Sequence, residues 1–254
     1  MGFTYWQVLP FNPIDRANSP YCSPSAFAGN YIFINPKGLY DMGLICEEDY
    51  KSNIYDGTPY TADYEFAGKK RLELLKKAFL NINDELARQI KEFEISNSWL
   101  TDYSVFMAVK EEENMKPWWE WSDEHAHYFE CIKNIYSYEK SAAFWKFVQF
   151  VFYKQWNEIK AYANKKGVAV IGDMPIYVAM DSVDVWSNLP MFLIDEKTLK
   201  VEKVAGVPPD YFSKDGQLWG NPIYDWNAME KDNFSWWISR IGCLLYTSPS
   251  PRDA

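Results

Sequence analysis

Residues 165–178 read KKGVAVIGDMPIYV and decide the class of fold that this chain of 254 residues adopts. Two lysines suit the negatively charged end of a helix, and Gly167 suits the left-handed residue that closes it. Residues 168–171 then form an unbroken apolar run, which is typical of a strand in a parallel sheet. The order helix, glycine, strand therefore predicts a parallel α/β unit, with Asp173 at the carboxyl end of its strand.

A long helical region precedes this unit. Apolar residues recur at helical spacing in three segments and again over 139–166, where we expect one amphipathic helix. Asn83, Asp84 and Glu85 are expected to form the start of the second of these helices. These side chains are expected to form core, and they are Leu72, Leu75, Phe79, Leu86, Ile90, Phe93, Trp99, Tyr103, Phe106, Met107, Phe144, Phe147, Val148, Val151, Phe152 and Ile159.

An earlier buried strand is predicted at residues 5–9, YWQVL, which Pro10 ends. A loop of about 20 residues follows, and a connection of that length favours a function. The two strands lie too far apart in sequence for one ordinary crossover, so the helices between them are expected to form a subdomain. The expected division is 1–39 for the first strand and its loop, 40–138 for the helical insertion, 139–241 for the helix, strand and aromatic loop, and 242–254 for a tail.

The tail, GCLLYTSPSPRDA, changes composition abruptly. A helix carrying Phe234, Trp237, Ile238 and Ile241 is expected before it and to be cut by it. Two Ser-Pro pairs make residues 242–254 resemble a non-native extension, and a genuine disordered tail is the alternative.

Charge and composition exclude several classes of function. A net charge of −9 gives no basic footprint for nucleic acid. The chain has no run of 18 apolar residues and no signal-peptide pattern, so neither a membrane span nor secretion is expected. Four cysteines without CxxC spacing indicate reduced thiols and a cytoplasmic protein. His125 and His127 point to different sides of a helix, so no metal site is expected.

Asp173 is the first candidate for chemistry. Ligands of β/α folds bind at the carboxyl ends of strands, and an ionised carboxylate there accepts strong hydrogen bonds from sugar hydroxyls. A carboxylate that caps a turn before Pro175 is the structural alternative. Further along, Trp219 offers a ring face for stacking on a sugar, and Asn221 offers donors and an acceptor.

Two loops supply the remaining candidates. Tyr211 and Phe212 follow two prolines on a loop in which Gly216 and Gly220 permit sharp turns. Aromatic residues on such a loop indicate a binding surface. In the first loop, Ser19 and Tyr21 of the SPY sequence are the matching candidates.

Three segments carry a resemblance to a known family. Residues 19–30 (SPYCSPSAFAGN), 171–186 (IGDMPIYVAMDSVDVW) and 205–224 (AGVPPDYFSKDGQLWGNPIY) resemble the 4-alpha-glucanotransferases called amylomaltase or disproportionating enzyme. The resemblance implies a partial (β/α)8 barrel of the α-amylase type, with a large helical insertion between strands. It further implies that Asp173 binds sugar at the cleavage subsite, that Tyr21 and Trp219 line the donor and acceptor sites, and that Tyr211 and Phe212 lie on a mobile loop covering the glucan.

The implied activity moves α-1,4-glucan segments between malto-oligosaccharides, starch or glycogen-type glucans, or to glucose, by a retaining double displacement. No cofactor is implied. The nucleophilic aspartate and the acid/base glutamate are expected beyond Ile241, so this chain is expected to be a fragment, truncated at both ends and inactive alone. A non-catalytic α-glucan-binding protein and an α-glucan hydrolase are the alternatives.

Overall fold

The computed structural model describes residues 2–15 and 17–247, with side chains described up to residue 243. The chain forms two compact units. The first comprises Met1–Phe27, Val109–Ile135 and Ala169–Ala254, and the second comprises Ala28–Ala108 and Tyr136–Val168.

Helices dominate the described residues. The α-helices are α1 (Pro36–Asp41), α2 (Glu47–Lys51), α3 (Tyr64–Phe79), α4 (Asp84–Ser96), α5 (Trp99–Glu112), α6 (Asp123–Ala126), α7 (Tyr128–Lys133), α8 (Glu139–Lys165), α9 (Val183–Ser187), α10 (Trp226–Lys231) and α11 (Ser235–Thr247). The strands are β1 (Tyr5–Gln7), β2 (Ala169–Ile171), β3 (Ile194–Asp195), β4 (Lys200–Val201), β5 (Val204–Val207) and β6 (Gln217–Pro222). Short 3-10 helices cover Tyr31–Phe33, Trp118–Glu120, Ile135–Tyr138 and Leu189–Met191.

The second unit packs helices around the apolar face of α8. The ring of Phe79 on α3 lies 5.6 Å from that of Phe144, and Phe93 on α4 lies 5.6 Å from Tyr153, both measured between centroids. Gln149 is buried in the same face, where its side chain accepts from Gly29 N at 2.7 Å and donates to Gly29 O at 3.0 Å. Both polar ends of this amide are therefore satisfied, which offsets the cost of burying it.

Two predicted helix boundaries, the start of α4 and the end of α8, are confirmed. The Asn83 side chain accepts from Leu86 N at 2.9 Å and caps α4. Gly167, with φ of +75°, takes the left-handed conformation directly after α8. Ile159 was predicted to be a core residue, and that prediction was wrong. Its side chain is 49% exposed because it lies on the solvent side of α8.

Strands β1 and β2 pair in parallel, as the helix–glycine–strand order predicts. Tyr5 pairs with Ala169 and Gln7 with Ile171. The prediction that the first strand is buried was wrong, since Tyr5 is 60% and Trp6 44% exposed. All three residues of β1 are exposed, so neither face of the strand is covered by the described part of the chain.

The rest of the first unit is built from two antiparallel pairs and short helices. β3 pairs with β4, and β5 pairs with β6. The final helix, α11, does not end at Ile241 as expected, because its backbone continues through Gly242 to Thr247. The remaining residues predicted as tail, 248–254, lie outside the described residues. No helix in the described part of the chain is both long and apolar enough to cross a membrane.

Candidate functional site

Two side chains from distant parts of the sequence meet at the end of β2. Asp173 follows this strand by two positions, and its Oδ2 accepts a hydrogen bond from the Tyr21 hydroxyl at 2.6 Å. Turns within the first loop place Tyr21. Asp15 Oδ1 accepts from Ser19 N at 2.9 Å, and Ser19 Oγ accepts from Tyr21 N at 3.3 Å. The short polar side chains of this loop therefore satisfy its backbone where no strand or helix does so.

The contact with Asp173 also raises the pKa of the Tyr21 phenol. The hydrogen bond to Asp173, partial burial and the charge of that carboxylate each raise the pKa of Tyr21 above its usual value. Tyr21 therefore keeps its proton at neutral pH and acts as the donor. Asp173 also lines the adjoining cavity, where a carboxylate can accept hydrogen bonds from hydroxyl donors.

A cavity of about 750 Å³ opens beside this pair. Its polar lining comes from Tyr21, Asp173 and Asn221, and its apolar lining includes Ile176, Tyr177 and Trp219. The volume lies within the range of small-molecule sites, and an apolar lining with a few convergent polar groups is their usual composition. Aromatic rings next to groups that accept hydrogen bonds from hydroxyls suit a sugar, because a sugar presents C–H groups on its faces and hydroxyls at its edges.

Four of the predicted site residues meet at this cavity, namely Tyr21, Asp173, Trp219 and Asn221. Trp219 is 48% exposed, and its ring lies 6.4 Å from that of Tyr177. Asn221 is only 8% exposed, and its Nδ2 donates to Val178 O at 2.8 Å. One donor of this amide is therefore committed to the protein backbone.

The other three predicted residues are not among the described lining residues. Ser19 lies in the turn before Tyr21, and its side-chain Oγ accepts from Tyr21 N. Tyr211 and Phe212 are 97% and 88% exposed, with ring centroids 5.7 Å apart. Both rings are presented to solvent, which is the position that a contact with an external ligand requires.

The loop that carries these two rings has defined turns at both ends. Asp210 Oδ1 accepts from Phe212 N at 2.9 Å and Ser213 N at 2.8 Å. Gly216, with φ of +75°, lies at the turn before β6 as predicted, whereas Gly220, with φ of +78°, lies within β6 and not at a turn. The loop joins β5 to β6, whose pairing places Gly206 against Gln217 so closely that an added Cβ would lie 2.2 Å from Gln217 O.

Sequence reasoning missed part of the cavity wall. Cys22 and the run Met174 to Tyr177 also line it, although none was predicted as a site residue. Their position in the sequence could have revealed them, since Cys22 directly follows Tyr21 and the run directly follows Asp173. Among the residues whose placement is described, no group of three His, Cys, Asp or Glu side chains has the spacing to hold a metal ion.

Comparison with known proteins decides the family. A family model described as 4-alpha-glucanotransferase matches residues 1–247. The chain belongs to the 4-alpha-glucanotransferase family. The resemblance inferred from three segments thus extends over nearly the whole chain.

Members of the 4-alpha-glucanotransferase family are similar to this chain in sequence and in structure. The 4-alpha-glucanotransferase of Clostridium butyricum is 42% identical over 96% of this chain and 51% of its own length. That of Aquifex aeolicus is 45% identical over 94% of this chain and 49% of its own. The structure of amylomaltase from Streptococcus agalactiae in complex with acarbose matches with a TM-score of 0.90 and 38% identity, over 96% of this chain and 50% of that one. The chain therefore spans about half the length of the relatives it matches.

Proposed function

We propose that the protein to which this chain belongs transfers segments of α-1,4-glucan from one malto-oligosaccharide to another or to glucose. The observation that carries the proposal is the cavity at the end of β2, where Tyr21 and Asp173 meet in a chain of the 4-alpha-glucanotransferase family. Malto-oligosaccharides and starch or glycogen-type glucans are the proposed substrates, and a retaining double displacement is the proposed mechanism.

In this proposal the residues of this chain bind and orient the glucan. Asp173 accepts hydrogen bonds from sugar hydroxyls while Tyr21 holds its other oxygen. The ring of Trp219 stacks on a sugar face, and the free polar atoms of Asn221 contact a hydroxyl. Ser19 keeps Tyr21 in place because its side-chain Oγ accepts a hydrogen bond from Tyr21 N.

Tyr211 and Phe212 are proposed to close over the bound chain. Their exposure supports this role, since both rings lie on a loop that projects beyond the β5–β6 pair. Covering the glucan would exclude water, so that a sugar hydroxyl rather than water accepts the transferred segment.

The proposal extends to fold and location. β1 and β2 would be neighbouring strands of a (β/α)8 barrel of the α-amylase type, which their parallel pairing supports. Residues 40–138 would form an insertion between those strands. A cytoplasmic location is supported by Cys22, Cys46 and Cys131, which are free thiols.

The test is an assay with maltotriose on the protein expressed from its complete gene. Transfer produces glucose and longer oligosaccharides while the number of reducing ends stays constant. A rise in reducing ends would instead show hydrolysis, and binding without any product would show a glucan-binding protein. Either of these results contradicts the proposal.

A matched pair of variants ties the activity to the cavity. Trp219→Ala removes a half-exposed ring from the cavity lining, and Trp119→Ala removes a ring of similar exposure, 38%, that is not among its described lining residues. We expect Trp219→Ala to weaken maltoheptaose binding by about threefold to tenfold. Equal effects of both variants would place the glucan elsewhere.

A further inference from the structure

The wall of the cavity next to Asp173 is irregular backbone. The run Met174 to Val178 belongs to no helix or strand, yet four of its five residues, Met174 to Tyr177, line the cavity. Its shape is therefore not maintained by a sheet ladder or by a helix. Buried or half-buried backbone of this kind needs other hydrogen-bond partners, and its conformation depends on them.

Side chains from the last part of the described chain provide those partners. Arg240 Nη2 donates to Pro175 O, and Arg240 Nη1 lies 3.5 Å from Ile176 O. The Tyr224 hydroxyl donates to Ile176 O at 2.9 Å, and Arg240 Nη1 lies 3.3 Å from that hydroxyl oxygen. Two successive carbonyls of the cavity wall thus accept from one guanidinium and its tyrosine neighbour.

Arg240 is itself held firmly. It is only 3% exposed, and its guanidinium carbon lies 5.2 Å from the ring centroids of both Trp236 and Trp237. Cation–π attraction to these two rings, whose planes are 87° from parallel, restricts the guanidinium. A planar fork fixed in this way can position the carbonyls that it contacts.

Tyr224 transmits the same constraint to an aromatic residue of the wall. Its ring stacks on that of Tyr177, with centroids 6.0 Å apart and planes 11° from parallel. Tyr177 in turn contacts Trp219. Displacing Tyr224 would therefore disturb two of the rings that line the cavity.

Neutralising the buried carboxylate of Asp184 does not by itself explain the hydrogen bonds that Arg240 makes. Asp184 is 2% exposed, and the positive charge of Arg240 favours its ionised form. However, Asp184 Oδ2 accepts its hydrogen bond from Ala26 N at 2.7 Å, whereas the Arg240 nitrogens contact carbonyls and the Tyr224 hydroxyl. The two Nη groups of the guanidinium are thus directed at the cavity wall and at Tyr224, whereas its buried Nε makes no hydrogen bond to the described residues.

We propose that Arg240 is a positioning residue that, together with Tyr224, fixes the Pro175–Ile176 backbone and thereby sets the affinity of the cavity for glucan. The part of this inference that concerns glucan rests on the proposed function. The part that concerns the backbone does not, because it predicts a local loosening of the cavity wall that requires no ligand.

Three variants separate the contributions. Arg240→Met keeps the apolar stem and removes all donors, Arg240→Lys keeps the charge but not the fork, and Tyr224→Phe removes one hydroxyl while keeping the ring. Arg88→Met is the control, since Arg88 lies on the exposed surface of α4 in ion pairs with Glu85 and Glu92.

The first readout is hydrogen–deuterium exchange without ligand. Arg240→Met should increase deuterium uptake in a peptide covering residues 174–180 more than in peptides elsewhere, and Tyr224→Phe should do so to a smaller extent. Arg88→Met should leave that peptide unchanged. Uptake that rises uniformly, or not at all, in both Arg240→Met and Tyr224→Phe would overturn the proposal. If Arg240→Met does not fold, Tyr224→Phe decides by itself.

The second readout is glucan binding and turnover by the protein expressed from its complete gene. Arg240→Met should weaken maltoheptaose binding, measured by calorimetry, by about tenfold or more, and Arg240→Lys by less. KM should rise while kcat changes little, which a general loss of folded protein would not produce. Unchanged affinity in a variant with a loosened wall would overturn the link to binding. A wild-type protein that binds no glucan would overturn the proposed function, while the exchange result would still test the backbone role.

Discussion

The hydroxyl of Tyr21 and the carboxylate of Asp173 lie 2.6 Å apart although 152 positions separate them in sequence. One residue comes from a loop after β1 and the other from the end of β2, and the parallel pairing of those strands brings the two segments to the same edge. The contact fixes the position of one carboxylate oxygen and raises the pKa of the Tyr21 phenol. It is therefore the geometric centre of the site.

Removing the Tyr21 hydroxyl should weaken glucan binding with little change in stability. We expect Tyr21→Phe to raise the Kd for maltoheptaose by about threefold to tenfold, because Asp173 loses the hydrogen bond that orients it. The free energy of unfolding should change little, since Tyr21 is 43% exposed. Calorimetric titration and urea denaturation measure the two effects. Tyr60→Phe, at a position that is 91% exposed, is the control, and equal affinities in all three proteins would contradict the prediction.

The exposed rings of the β5–β6 loop should matter for binding and not for folding. The double variant Tyr211→Ala, Phe212→Ala should change the free energy of unfolding by less than about 0.5 kcal/mol, because both side chains are almost fully solvated. Binding of maltoheptaose should weaken by about threefold or more. A loss of stability without a loss of affinity would show that the rings have a structural role instead.

Stability should depend on pH through Asp184. Burial, partly offset by the Ala26 N–H and by Arg240, raises the pKa of Asp184 from 3.8 to about 6. The folded state therefore binds this proton more tightly than the unfolded state. The resulting stabilisation is complete below pH 3.8 and is lost as the pH rises through about 6.

The Asp184→Asn variant isolates this dependence. Across the interval between the two pKa values, the wild type should lose stability relative to the variant by an amount on the order of 3 kcal/mol. Urea denaturation of both proteins at a series of pH values gives the difference. Parallel curves over that interval would show that Asp184 does not titrate as its burial predicts.

The ion pair between Lys110 and Asp181 should contribute measurably to the stability of the first unit. Lys110 Nζ lies 2.8 and 2.7 Å from the two Asp181 oxygens and donates to Lys116 O at 3.0 Å, while only 7% of its side chain is exposed. Lys110→Met should cost about 2 kcal/mol, less than for a fully buried pair because Asp181 is partly solvated.

The matched control for that change is an exposed pair. Lys37 and Asp41 are separated by four positions on α1, and each side chain is 55% exposed. Lys37→Met should change the free energy of unfolding much less than Lys110→Met, because both partners of this pair are solvated. Similar losses in the two variants, measured by urea denaturation, would show that the burial of Lys110 has no energetic consequence.

Local features of the fold were predictable from local chemistry. The cap by Asn83, the left-handed Gly167 and the extent of α8 depend on contacts within a few residues, so spacing and residue type are sufficient to predict them. The burial of β1 was not predictable in this way. The exposure of Tyr5 depends on which segments cover the strand, and an apolar run does not contain that information.

The candidate site, like the fold, was predictable from the sequence only in part. Asp173, Tyr21 and Trp219 were recognisable because their residue types and motif positions indicate sugar binding, and the family was identifiable from three short segments. Only the tertiary structure showed that Asn221 donates to Val178 O and that Arg240 reaches Pro175 and Ile176. Those partners are 43 to 65 positions apart, and hydrogen bonds over such separations depend on how the whole first unit packs. The sequence by itself thus determined the local elements and the residue types of the candidate site, and the packing decided which donors hold the cavity wall.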